Sequence, residues 1–148
     1  MSYRVALVCE DHTLDQFVLR PVVEALLREV GKPRAIVRAV TDPQLRGIGD
    51  LKRELCGIVA RYSTVSDLII IAIDRDCLDA RADSFQALLD TCDGREKAVL
   101  VVARQELEVW AMWGSRDDLG TRWAEVVEEC HPKDVYFGRL FQQGDERQ

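Results

Sequence analysis

Apolar residues along this chain alternate between short runs and longer stretches spaced for one face of a helix. The short runs are residues 5–9, 35–40, 68–73 and 98–103, all unbroken but the second. A strand that is apolar on both faces suits the interior of a parallel sheet covered by helices. The second run is interrupted by Arg38 and preceded by Arg34, which marks it as an edge strand. Between the first two runs, Thr13 and Gln16 form a capping box for a helix whose apolar period is Leu14, Phe17, Val18, Val22, Leu26 and Val30. Gly31-Lys32-Pro33 stops that helix, and Pro21 inside it predicts a kink or a late start. Asp50 caps a second helix with Leu51, Leu55, Ile58, Val59 and Tyr62 on its inner face. A third carries Leu78, Ala82, Phe85, Leu88, Leu89 and Cys92 and ends near Asp93-Gly94.

Strands and helices that alternate, with connections too long for hairpins, define an α/β fold. Three layers are expected: a mainly parallel sheet of about four strands with helices on both faces. Past residue 104 the pattern becomes helical. Residues 105–113 form one short helix, and Ser115 with Asp118 caps another lined by Trp123, Val126, Val127 and Cys130, which His131-Pro132-Lys133 ends. The reading is one domain over 1–148, with a sheet core (1–104), extra C-terminal helices (105–143) and a frayed polar tail (144–148).

Composition narrows the function. At 148 residues and 47% hydrophobic content the chain holds one full core. No apolar run approaches the roughly 20 residues that cross a bilayer, and the start leads directly into a strand, so a cytoplasmic protein without membrane contact is expected. Five cysteines, widely spaced and without a Cys-x-x-Cys, read as reduced core residues. The net charge of -6 argues against a generally basic nucleic-acid surface. It leaves room for a metal-dependent nuclease, because carboxylates that hold cations count as negative charge until the metal reverses the local sign.

The candidate chemistry sits where strands end. Glu10 follows the first run, Asp74 and Asp76 follow the third, and Glu106 or Glu108 follows the fourth. Parallel strands with right-handed crossovers bring their carboxyl ends to one edge, so acids remote in sequence converge there. An aspartate at a strand end also caps a following helix, but capping does not require every strand to end on acid. Converging carboxylates repel unless a cation neutralises them. Oxygen-only ligands suit Mg²⁺, with Mn²⁺ able to substitute, and phosphoryl chemistry follows from such a site.

A glutamate at the end of the first strand and an Asp-x-Asp at the end of the third resemble the Toprim domain of topoisomerases, primases and OLD-type nucleases. The stretches Glu10-Asp11-His12-Thr13-Leu14-Asp15-Gln16-Phe17, Glu108-Val109-Trp110 and His131-Pro132-Lys133-Asp134 resemble the E-G-x-T-E, E-A-W and P-K-E stretches of a bacterial Toprim-like family called domain of unknown function 4276. This resemblance spans nearly the whole chain. It implies Glu10 as a metal ligand or general acid/base, Asp74 and Asp76 as the Mg²⁺-binding pair, and Glu108 as a further ligand. It also implies a partner ATPase and a role in a defence-related nuclease system. Asp11 stands where the family has glycine.

Around these acids, His12 is a candidate for proton transfer or substrate contact, and Lys133 is the cation best placed to return toward substrate. Arg75 and Arg104 are read as phosphate contacts or as ion-pair partners of the site carboxylates. Trp110 and Trp113 read as core packing in preference to stacking on bases. The leading reading is a Mg²⁺-dependent nuclease, alone, as a homo-oligomer or as a subunit. The alternatives are a non-catalytic binding module serving an ATPase and a receiver-like domain phosphorylated on Asp74.

Overall fold

All four short runs pair into one parallel sheet: β1 (Arg4–Cys9), β2 (Ile36–Ala39), β3 (Leu68–Asp74) and β4 (Ala98–Ala103), in the order β2-β1-β3-β4. The structure is a computed structural model that describes residues 1–13 and 15–140. Register aligns the strand ends, with Cys9 opposite Ala72 and Asp74 opposite Ala103. From β1 the chain crosses to one side and from β3 to the other, so the strand order reverses between them. A crevice opens at the carboxyl ends of β1 and β3 for that reason. As expected from Arg34 and Arg38, β2 lies at an edge.

Helices cover both faces. On one, α2 (Ile48–Ser63) and α3 (Arg81–Leu89) bury Leu51, Leu55, Ile58, Phe85 and Leu89 against Ala6, Val8, Ile69, Ile71 and Ile73. On the other, α1 (Asp15–Glu29) and α4 (Glu108–Met112) enclose Leu19, Val23, Leu27 and Trp110 with Val5, Leu7, Ala72 and Ala103. Each fully buried Leu or Ile contributes about 1.5–3 kcal/mol. A smaller cluster of Val109, Met112, Leu119 and Val126 joins α4 to α5 (Trp123–Glu128), with a 3₁₀ turn over Trp113–Asp118 between them and a π-helical turn over Lys133–Phe137 after them.

The face of α1 differs from the expected one. Phe17, Leu26 and Val30 are exposed, and the buried stripe is Leu19, Val23 and Leu27. Adjacent apolar pairs at 18/19, 22/23 and 26/27 allow two stripes about 100° apart, and the sheet selects the second. Pro21 neither breaks nor delays this helix: it is exposed, so the carbonyl left without an N–H faces water. The expected Thr13–Gln16 box is replaced by Asp11 and Asp15: Asp11 Oδ1 accepts from the N–H and hydroxyl of Thr13, and Asp15 Oδ2 accepts from the Asp11 N–H.

Other helices start away from their expected caps. Gly47, at φ 118°, is the residue before α2, and Asp50 lies in its first turn with its carboxylate reaching back to the Arg46 N–H. Leu78 lies outside α3 and is exposed. The 105–113 helix begins three residues late because Gln105 is left-handed (φ 69°), and Ser115, at φ -115°, is no cap. At Gly94 (φ 85°) a Cβ would lie 2.4 Å from Ser63 Oγ, so only glycine fits. Nearby, Lys97 Nζ donates to Ser63 O and Ser66 O and satisfies carbonyls at the end of α2.

The cysteines are not all reduced. Cys56–Cys92 joins α2 to the segment after α3, and Cys77–Cys130 joins the loop after β3 to the segment after α5, leaving Cys9 as the free, buried thiol. Among the described residues no helix is long and apolar enough to cross a membrane. The tail expected to fray (144–148), residues 141–143 of the C-terminal part and Leu14, expected on the apolar face of the first helix, lie outside the described residues.

Candidate functional site

Main-chain amides fix the acids at the crevice. Glu10 Oε1 accepts from the Asp74 N–H at 2.9 Å, and Asp74 Oδ1 accepts from the Leu107 N–H at 2.8 Å. The end of β1 is thereby tied to the end of β3, and β3 to the residue before α4. Asp15, at the start of α1, has one oxygen on the Asp11 N–H at 3.1 Å. These three carboxylates, with Asp11, Arg46 and Lys133, line a cleft of about 370 Å³. Among the described residues none of the three pairs with a Lys or Arg side chain.

Burial without a cation has the expected electrostatic result. Asp74 is pushed up from an ordinary 3.8 to about 8, first by desolvation and then by the charge of Glu10, against the pull of the Leu107 N–H. Burial also raises Glu10 and Asp15, each partly offset by its main-chain donor. Cys9, a buried free thiol, is raised by burial and by the charges of Asp15, Asp11, Asp74 and Glu10, which keeps it protonated.

A second group lies one strand over. Asp76 and Cys77 both have positive φ (48° and 56°), and Gln105 holds the loop: its carbonyl accepts from the Asp76 N–H and its side-chain oxygen from the Cys77 N–H. Arg81 Nη1 bridges Asp74 O at 2.8 Å and Asp76 Oδ2 at 2.6 Å. Glu106 and Glu108 are both buried. Glu106 Oε2 accepts from the Lys133 N–H at 2.9 Å, and Lys133 Nζ lies 3.0 Å from Glu108 Oε1. Ligand atoms of Asp76, Glu106 and His131 lie within 4.8 Å of one another. Burial raises Glu106, and the bond to Glu108 raises Lys133.

The predicted residues therefore divide. Glu10 and Asp74 share the cleft with Lys133; Asp76 turns instead to Arg81, and Glu108 to Lys133. Contrary to expectation, neither Arg75 nor Arg104 pairs with the site acids: Arg75 binds Asp79, and Arg104 binds Glu128 on α5. Alternation along the strand already points Arg75 away from Asp74 and Asp76. His12 lies in the loop after Glu10, and its Nδ1 is buried without a hydrogen-bond partner. Trp110 packs against the α1 side of the sheet, whereas Trp113 is half exposed, edge-on to Trp123 and beneath Arg116.

Four residues at the site were not singled out from sequence: Asp15, Arg46, Arg81 and Gln105. Asp15 carries a signal, since it is the last acid of the Glu10–Asp15 stretch. Arg81 and Gln105 carry none, because the left-handed turn that brings them to Asp76 and Cys77 is not encoded by a glycine.

Carboxylate oxygens are the donors a hard divalent cation takes, but among the described residues the group of three whose ligand atoms lie within 4.8 Å of one another is Asp76, Glu106 and His131, and not Glu10, Asp15 and Asp74. Carboxylate oxygens from β1, α1 and β3 border one cleft, with their charge unmatched by a paired base, and a bound cation would remove both the repulsion and the cost of burying them. Compared with protein-family models, curated proteins and solved structures, the chain has no significant match to any of them.

Proposed function

We propose that this chain is a Toprim-like, Mg²⁺-dependent phosphodiesterase acting on nucleic acid, working in the cytoplasm alone or as the nuclease subunit of an ATPase-associated, defence-related system. The observation that supports the reading is the cleft at the reversal of strand order, which Glu10, Asp15 and Asp74 all line, none of them paired with a Lys or Arg side chain among the described residues. Glu10 and Asp74 would hold the metal, which supplies Lewis-acid activation of a phosphodiester. Asp74 and Glu10, both raised by burial, would release their protons on taking up the cation, so metal binding there should be favoured as pH rises. Lys133 and Arg46, both at the cleft, offer positive charge to phosphate oxygens.

The test is cleavage of single- and double-stranded DNA and RNA with Mg²⁺ or Mn²⁺, comparing wild type with Asp74→Asn and Glu10→Gln. Metal-dependent cleavage lost in both variants is expected. Cleavage unchanged in the variants removes the assignment. A second reading, a binding module for a partner ATPase, is favoured by the net charge of -6, which argues against a generally basic nucleic-acid surface. It predicts cation binding with no cleavage until a partner is added.

A further inference from the structure

Lys133 reaches the acidic cleft from a segment held by a covalent tie. Cys77 follows Asp76 directly, and Cys130 lies three residues before Lys133, so their disulfide joins the two loops that meet at Glu106 and Glu108. The 131–133 stretch is also bound to the site's acids, with the Lys133 N–H on Glu106, its ammonium on Glu108 and His131 Nδ1 at 3.7 Å from Glu106, and to its own neighbours, with the His131 N–H on Glu129 and the His131 carbonyl accepting from the Asp134 and Val135 N–H groups. Pro132 is buried. The ammonium pairs with Glu108 and not with the three cleft acids, but Lys133 lines the cleft and its charge reaches Asp15 and Asp11 there.

We propose that the Cys77–Cys130 disulfide is a redox gate: oxidised, it holds the Lys133 ammonium in the acidic cleft against an incoming cation, and reduced, it releases Lys133 and opens the cleft to a divalent metal. This rests on the cation-site reading above. The chemistry is thiol–disulfide exchange: a dithiol reductant attacks one sulfur, the S–S bond breaks, and the reductant leaves as its own disulfide, two electrons and two protons having passed to Cys77 and Cys130. Access favours this pair. Cys77 is exposed and Cys130 half-buried, whereas in the other disulfide Cys92 is 1% exposed. A reducing cytoplasm would then keep the site open, and oxidation would close it.

Two readouts on the full chain test this. The first is the acylation rate of Lys133 by an amine-reactive ester, followed by peptide mass spectrometry, for the oxidised protein, for protein treated with dithiothreitol until only Cys77–Cys130 is open, and for Cys77→Ser/Cys130→Ser. The second is Mn²⁺ affinity of the same samples and of oxidised Lys133→Met. The gate predicts Lys133 acylation several-fold faster in the reduced protein and the serine variant. It also predicts Mn²⁺ bound about tenfold more tightly in both, as expected for removing one nearby positive charge, and Lys133→Met bound tightly in either redox state. Equal acylation in oxidised and reduced protein overturns the gate whatever the metal does. Faster acylation with Mn²⁺ affinity unchanged overturns the link to the cleft, and Mn²⁺ bound by no sample overturns the cation-site reading with it.

Discussion

Replacing Asp74 with asparagine removes a carboxyl that the fold holds at a cost, and keeps the oxygen that accepts from the Leu107 N–H at 2.8 Å. In the folded chain Asp74 is raised from an ordinary 3.8 to about 8. Between those values the folded chain keeps a proton that the unfolded chain has released, so stability falls as pH rises, by up to about 1.4 kcal/mol per pH unit. The contribution is level below the lower value and again above the upper one. From about pH 5 to about pH 7.5 this single group accounts for a loss of roughly 3 kcal/mol, reduced to about 2 kcal/mol because the repulsion is shared with Glu10 and the carboxyl is only partly buried. Asp74→Asn therefore gains stability relative to wild type by about 2 kcal/mol over that interval. Urea unfolding followed by tryptophan fluorescence in metal-free buffer measures it. Mn²⁺ at about 100 times its Kd should then stabilise wild type alone, by about 2.7 kcal/mol, and narrow the gap. A difference between the two proteins that stays constant from pH 5 to 7.5 would refute the reasoning.

Three further outcomes are expected. Gly94→Ala places a Cβ 2.4 Å from Ser63 Oγ at φ 85°, and should cost about 2–3 kcal/mol in a denaturant melt, with Ser63→Gly recovering the steric part. Arg81→Met leaves the partly buried Asp76 carboxylate unpaired and should cost about 3 kcal/mol, whereas adding Asp76→Asn should return part of that in a double-mutant cycle. Opening Cys56–Cys92 with a Cys56→Ser/Cys92→Ser variant frees a 36-residue loop and should lower stability by roughly 4 kcal/mol, without changing Lys133 acylation.

Much of the sheet was legible because a buried parallel strand has an unmistakable pattern. The run at 68–73 is apolar at every position and sits between β1 and β4, and Arg38 marked β2 as the edge. The acid at the end of β1 and the acid at the end of β3 were legible for the same reason, since parallel topology puts them side by side. What escaped depends on contacts between distant residues. The face of α1 was ambiguous until the sheet chose Leu19, Val23 and Leu27 over Phe17 and Leu26. Non-glycine residues with positive φ at Asp76, Cys77 and Gln105 turn the loops, and their sequence gives no sign of it. Disulfide connectivity cannot be read from spacing, and the apolar neighbours of Cys56 and Cys92 resemble those of core thiols. Asp15, not singled out from sequence, opens a helix whose start borders the cleft, with one carboxylate oxygen accepting from the Asp11 N–H.

The central claim is that the acids at the ends of β1 and β3 form a divalent cation site. Crystals soaked in Mn²⁺ and measured for anomalous scattering address it directly. A peak between Glu10 and Asp74, within reach of Asp15 and absent in Asp74→Asn, is the predicted result. Saturating Mn²⁺ with no peak in that cleft, or with its peak only among Asp76, Glu106 and His131, would contradict it.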